Sequence, residues 1–329
     1  MEYVNLGNTG MKVSRLCLGT MGFGTPQWRK WVLDETASTP VIQAAIARGI
    51  NFIDLADFYS IGVSEEVVGR AIRQVPRHKL VLASKCLYAM SDDVNDQGLS
   101  RKHIMHAVDA SLRRIGTDYL DLFVVHGFDP STPMEETMQA LNDVVRAGKV
   151  RYIGASTMYA WQFVKMNYLA KLNGWTPFVS MQCQLNAAYR EEEREMIPYC
   201  QHEGIAVTPF SPLARGLLSG NADSLRNTTD QFTTLQYNDP TSLDIAKAVA
   251  KVAQARGVLS SQVALAWVNS RPGVTSTLIG VETTSQLDQN IAALDIKLTP
   301  EELAEIDRWY TPCDVINDYN VARIPRSAR

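Results

Sequence analysis

Three ionisable side chains fall at the ends of apolar runs in this 329-residue chain, where a buried core ordinarily excludes charge. Asp54 lies inside NFIDLA (51–56), Lys85 closes LVLASK (80–85), and His126 closes YLDLFVVH (119–126). Tyr59 follows five residues after Asp54. Together these four types could run an acid–base reaction. A phenol with a pKa near ~10 is too weak an acid to protonate a substrate oxygen unless its anion is stabilised. An ammonium beside it favours the phenolate, and a carboxylate beside the ammonium keeps that group charged and oriented. An imidazole can donate a hydrogen bond to an oxygen on which negative charge develops. Each residue alone also has a bland reading: Asp54 binding backbone, Lys85 reaching solvent, His126 packed or exposed. Their recurrence at neighbouring strand ends favours the functional reading of the set.

The elements that must position them follow from the hydrophobic pattern. Apolar runs at 15–19, 51–56, 80–85, 119–126, 150–156, 178–186, 205–210 and 275–280 each precede an amphipathic stretch. Those stretches lie near 34–48, 64–73, 100–116, 133–148, 159–174, 190–204, 241–257 and 283–294. Ser100 and Gly116 bracket one helix, and Pro133 and Gly148 another, as helix start and stop signals. Gly7-Asn8-Thr9-Gly10 marks the turn of an N-terminal hairpin over 2–13. Eight strand–helix units predict an α/β fold, a (β/α)8 TIM barrel with an N-terminal β-hairpin. Segments 260–271 and 299–310 read as extra C-terminal helices, and 1–329 as a single domain. In such a barrel, active sites form where strands end at their C-terminal side. If Asp54 points inwards, Ile53 and Leu55 face the helices, as their character suits. The acidic run REEEREM (190–196) reads as a first helical turn favoured by the helix dipole.

Composition excludes other classes. A net charge of −3 with no basic stripe argues against nucleic acid as a partner. No apolar run reaches the ~18 residues of a membrane span, so no membrane association is expected. MEYVNLGNTG lacks the basic and apolar regions of a signal peptide. The five cysteines stand singly, which favours reduced thiols and a cytoplasmic location over disulfides or zinc. His103 and His106 share a helix face, read as solvated, and no metal site is expected. GTMGFG (19–24) and AGKV (147–150) both fall short of phosphate-binding motifs.

GINFIDLADFY with SEEVVGRAI, then LASK, LDLFVVH, EETMQALNDVVRAGKVRYIGAS and SPLARGLL together resemble the aldo-keto reductase superfamily over nearly the whole chain. The chain looks most like bacterial members of the aryl-alcohol dehydrogenase-like branch. The resemblance implies an NAD(P)H-dependent oxidoreductase interconverting an aldehyde or ketone and its alcohol. It implies a catalytic tetrad of Tyr59, Lys85, Asp54 and His126, with Tyr59 as proton donor. It places Gly19 and Thr20 near the nicotinamide ribose, Asp54 also among the cofactor-binding residues, Ser156 and Gln182 at the carboxamide, and Phe210 beneath the ring. Ser211, Leu213, Arg215 and Gly216 match its pyrophosphate loop, and Gly280, Gln286 and Asn290 its adenosine segment. Trp28, Trp31, Tyr88 and Phe128, on predicted loops at the reactive mouth, are expected to wall a small carbonyl or alcohol substrate.

Some positions depart from the family. Thr157 stands where Asn is frequent, Gly127-Phe128 follow His126 where a larger side chain is usual, and the loop 221–234 reads as short. The family usually prefers NADPH through a Lys or Arg in the adenosine segment. GVETTSQLDQN (280–290) has neither, and carries Glu282. A carboxylate accepts hydrogen bonds from a free ribose hydroxyl and repels a phosphate, so use of both NADH and NADPH is expected. The chief alternative is a nicotinamide-binding regulatory or redox-sensing subunit, as potassium-channel β subunits are. A metal-dependent barrel aldolase or isomerase is a weaker one. Physiological substrate, favoured direction and oligomeric state are not legible.

Overall fold

Alternation along the strands decides what fills the barrel. The computed structural model describes residues 1–220 and 225–315; part of the 221–234 loop lies outside the described residues. A hairpin of β1 (Tyr3–Asn5) and β2 (Lys12–Ser14) comes first, paired antiparallel. The main sheet comprises β3 (Leu16–Gly19), β4 (Phe52–Asp54), β5 (Val81–Cys86), β6 (Leu120–Val125), β7 (Val150–Ser156), β8 (Phe178–Gln182), β9 (Ala206–Val207) and β10 (Thr277–Ile279). These are parallel in the order β10-β3-β4-β5-β6-β7-β8-β9. A bridge between Val207 and Val274 joins the two ends, with Thr275 N–H donating to Val207 O at 2.8 Å. The sheet therefore closes on itself, the (β/α)8 arrangement expected from the alternation.

Helices α1 (Glu35–Ala47), α2 (Val63–Ala71), α3 (Arg101–Ile115), α4 (Met134–Arg146), α5 (Ala160–Asn173) and α6 (Met196–Glu203) follow the strands from β3 to β8 in turn. Between β9 and β10 lie α7 (Leu225–Thr229), α8 (Gln231–Tyr237), α9 (Pro240–Arg256) and α10 (Ser260–Ser270). After β10 come α11 (Thr284–Ala292) and α12 (Pro300–Asp307). Capping chemistry sets several boundaries. Ser100 accepts the His103 N–H at the start of α3, and Gly116 ends that helix at φ 74°.

Residues one apart on a strand face opposite ways. Phe52, Ala83, Leu122, Val124, Ala206 and Leu278 pack inside the barrel, with Leu6 and Val13 of the hairpin entering the same cluster. Ile53, Leu82, Phe123, Val125 and Ile153 face the helices in a second, larger cluster. The hairpin thus plugs the N-terminal end. Gly7 makes this close docking possible: at φ +57°, a Cβ there would lie 2.7 Å from Gly204 O.

One expectation changes. The helix foreseen from 190 begins only at Met196, preceded by a 3-10 turn over Glu191–Glu193. Glu191 and Glu192 are buried, so dipole stabilisation of a solvated turn does not explain them. Glu191 instead accepts Tyr310 Oη–H at 2.5 Å and Cys313 N–H at 2.8 Å, tying down the segment after α12. Glu193 pairs with Arg190 and Arg271. Burial pushes the Glu192 carboxyl up to about 7. Helix α10 is extra to the strand–helix alternation, as foreseen, and its Val263, Leu265 and Trp267 are wholly buried in the main core.

Candidate active site

The inner rows of three strands run out of apolar residues at the C-terminal mouth. Asp54 stands two after Phe52, Lys85 two after Ala83, and His126 two after Val124, so all three continue the inward parity. Tyr59 reaches them from the turn after β4. There Ser60 and Ile61 adopt φ 51° and 50°, a left-handed bend that is costly for a β-branched residue. The chain doubles back and buries the phenol to 8% exposure.

The hydrogen bonds converge on Lys85. Its Nζ donates to Asp54 Oδ2 at 2.7 Å, Leu55 O at 2.7 Å and Tyr59 Oη at 3.2 Å. All three ammonium protons are used. Asp54 Oδ1 accepts Gln182 Nε2–H at 2.9 Å, and Thr20 Oγ1 donates to Asp54 O at 2.9 Å. The His126 ring meets Tyr59 edge-on with centroids 5.8 Å apart.

The protonation states follow from burial and charge. Burial alone would strip the Lys85 proton, but Asp54 and Tyr59 outweigh it and hold the ammonium above its ordinary value. Burial also lifts Tyr59 above the ordinary phenol range, and Lys85 offsets this only in part. Lys85 does lower the phenol, as expected, but the net shift is upward. Desolvation is the larger effect here. Burial, reinforced by Lys85, holds His126 well below its ordinary value, so its imidazole is neutral.

Around the mouth, Gly19 pairs with Asp54 across β3 and β4, and Ser156 with Gln182 across β7 and β8. Ser156 Oγ lies 3.0 Å from Thr157 Oγ1, with Thr157 at φ 43°. Phe210 is half-buried beyond β9 and bridges to Gln184. Ser211, Ala214, Arg215 and Gly216 all have positive φ, and half-buried Leu213 lies among them. Left-handed turns of this kind can cradle an anion with backbone N–H groups, while the Ala214 and Gly216 N–H groups here donate within the turn to Ser211 O and Leu213 O, each at 2.9 Å. Arg215 Nη2 pairs with Asp230 Oδ2 at 2.7 Å. Beyond β10, Gly280 is exposed, Gln286 accepts the Glu282 N–H at 2.7 Å, and Asn290 is buried on α11. These residues form an arc from the tetrad to the end of β10. The cradle and the arginine beside it fit a phosphate-bearing nucleotide.

Trp28 meets Phe58 at 5.7 Å, Phe58 meets Tyr88 at 4.9 Å, and Tyr88 meets His126 at 4.9 Å between ring centroids. Phe58 was not foreseen, though it adjoins Tyr59 and links two expected wall residues. Trp31 is buried, and Arg226 stacks on it at 4.4 Å. Phe128 meets Trp161 at 6.3 Å. Phe58→Ala is expected to raise KM for an aromatic aldehyde about 3- to 10-fold with kcat little changed, the loss of roughly one aromatic contact. An equal rise for a short aliphatic aldehyde would show that Phe58 supports the loop instead of the substrate.

Two polar groups nearby stand outside this arrangement. Both Asp57 carboxyl oxygens are buried without a hydrogen-bond partner. Burial first, then Glu65, pushes this acid well above its ordinary value, so it is held protonated. Farther off, His103 is buried near Asp96, at 3.7 Å, and so is not on a solvated face; His106 is exposed.

Comparison with known proteins agrees with this geometry. A model of the aldo/keto reductase family matches residues 15–311. Versiconal hemiacetal acetate reductase of Aspergillus parasiticus is 42% identical, the alignment covering 95% of this chain and 98% of the relative. An aldo-keto reductase of Alternaria alternata is 42% identical over 94% of this chain and 91% of the relative. A putative aryl-alcohol dehydrogenase of Schizosaccharomyces pombe is 40% identical over 95% and 97%. These three relatives are fungal, and they lend no support to the expected bacterial placement. A match spanning the barrel strands and relatives aligned nearly end to end lead to one conclusion: the chain belongs to the aldo/keto reductase family.

Proposed function

We propose that this chain reduces a small aldehyde or ketone with NADPH or NADH, Tyr59 delivering the proton. The observation that carries the reading is the 3.2 Å hydrogen bond from Lys85 Nζ to Tyr59 Oη at the barrel mouth. Because Tyr59 Oη accepts from Lys85, its own O–H is left to donate outward. A bound nicotinamide supplies the hydride that adds to the carbonyl carbon. Tyr59 transfers its proton to the carbonyl oxygen, and the tyrosinate left behind is stabilised by Lys85. Asp54 keeps Lys85 charged, and neutral His126 orients the oxygen by donating a hydrogen bond. The Trp28–Phe58–Tyr88 wall and a relative named as an aryl-alcohol dehydrogenase both support an aromatic substrate.

Repeated turnover of an aromatic aldehyde, followed by loss of reduced nicotinamide absorbance, tests the reading. Consumption of only one equivalent per chain would favour a redox-sensing subunit instead. The groups with resolved shifts also fix a pH dependence. Tyr59 lies above its ordinary ~10 and His126 well below ~6.5, so neither changes charge near neutrality. Reductive kcat is expected to stay level between about pH 7 and about pH 9, then fall as Tyr59 loses its proton. An inflection near neutrality would contradict the neutral imidazole.

The reading extends to both nucleotides, supported by Glu282 and by the lack of Lys or Arg in 280–290. The ratio of kcat/KM for NADPH over NADH should stay below ~100, about 2.7 kcal/mol. A single domain over 1–329 and a reducing, cytoplasmic setting belong to the same proposal. None of the five cysteines forms a disulfide, and no helix among the described residues is long and apolar enough to cross a membrane.

A further inference from the structure

We infer that Arg226, a residue of the β9–β10 crossover and not of the 280–290 segment, recognises the ribose 2′-phosphate that distinguishes NADPH from NADH. Glu282, in the segment after β10, serves the free hydroxyl of NADH. The inference rests on the nicotinamide reading above and deepens it.

Strand order supplies the first argument. Tetrad residues stand at the ends of β4, β5 and β6, with Gln182 at the end of β8. The left-handed cradle over Ser211–Gly216 follows β9, and Gly280 follows β10. A dinucleotide that offers its reactive ring to Tyr59 and its diphosphate to the cradle therefore carries its other ribose towards the end of β10.

Arg226 waits at that end. Its Nη1 lies 3.9 Å from where a Cβ on Gly280 would stand, and the charge of Glu282 acts on it. The absence of a side chain at residue 280 leaves room between guanidinium and backbone. Trp31 holds the guanidinium plane at 4.4 Å, a cation–π stack that leaves the N–H edge available. An arginine fork held this way matches a phosphate bidentately.

Among the described residues, the cations around Arg226 outnumber the carboxylates. Asp230 Oδ2 is already taken by Arg215 at 2.7 Å and 3.1 Å, and lies 3.6 Å from Arg226 Nε. That Nε is enclosed without a hydrogen-bond partner, although 27% of the side chain remains exposed. Arg29 also feels Asp230 and Arg215. Among the described residues, three arginines thus draw on Asp230, and Glu282 acts on Arg226 as well. Burial, then Arg215, pushes the Arg226 guanidinium down to about 10, which leaves it charged at neutral pH. A phosphate dianion would relieve this excess of positive charge. A neutral hydroxyl would not, but Glu282 can accept its hydrogen bond. One cation and one carboxylate within reach of each other's charge thereby admit both nucleotides.

The test is binding to the full chain, with NADPH and NADH titrated separately and read by nucleotide fluorescence. Arg226→Met is expected to weaken NADPH about 10- to 100-fold, the loss of a charge-assisted contact, and NADH by less than about threefold. Arg226→Lys, which keeps the cation, should recover part of the NADPH affinity. Glu282→Gln, at an exposed position, should weaken NADH and not NADPH. Equal losses for both nucleotides in Arg226→Met would make Arg226 a clip that only holds the crossover, and would overturn the inference while the reductase reading stands. An Arg226→Lys variant as weak as Arg226→Met would also overturn it. If the unaltered chain binds neither nucleotide, the reductase reading fails and takes this inference with it.

Discussion

Tyr59→Phe is expected to lower kcat for carbonyl reduction by about 10²–10⁴-fold, the usual worth of a positioned general acid, with nucleotide affinity essentially unchanged. The substitution removes one oxygen and leaves the ring, which is packed to 8% exposure. Lys85 loses its 3.2 Å acceptor but keeps Asp54 and Leu55 O, each at 2.7 Å, so the ammonium remains anchored. Folding should therefore survive and the rate should not. Single-turnover reduction with saturating nucleotide measures the chemical step directly. A variant retaining more than about half of wild-type turnover would mean that another group supplies the proton.

Lys85→Met reaches the same reaction by another route and adds a stability effect. Without the ammonium, burial is left to push the Tyr59 phenol still higher, and the tyrosinate formed in the reaction loses its counter-charge. Asp54 keeps only its 2.9 Å bond from Gln182 to the carboxyl, at 1% exposure. An uncompensated buried carboxylate costs about 3–5 kcal/mol. Reduced kcat together with lower unfolding stability is the expected outcome. The double variant Lys85→Met/Asp54→Leu should regain part of that stability with no return of activity, since no charge then stays unpaired. Unchanged kcat across about pH 6–9 in the single variant would remove the Tyr59–Lys85 coupling from the mechanism.

Period-two patterning made the strands legible, and with them the inward row that ends in Asp54, Lys85 and His126. Those side chains are fixed by parity, so a sequence suffices to aim them. Tyr59 was recognisable by its spacing, but the bend at Ser60 and Ile61 that brings it home was not, because neither residue type announces a left-handed turn. Arg226 was missed for a different reason. It sits on a five-residue helix in the β9–β10 crossover, far in sequence from Gly280, and only folding brings the two together. The acidic run at 191–193 misled because its composition suits a solvated helix start, whereas Glu191 is engaged by Tyr310 and Cys313 more than a hundred residues later.

The hairpin that fills the lower end with Leu6 and Val13 has a kinetic consequence. It turns the barrel into a vessel with one opening. Substrate entry, alcohol departure and the return of a proton to Tyr59 must then share that doorway. On the proposed reaction, the tyrosinate would be recharged after each cycle from the side by which the product leaves, so reloading the acid would wait on clearing the mouth.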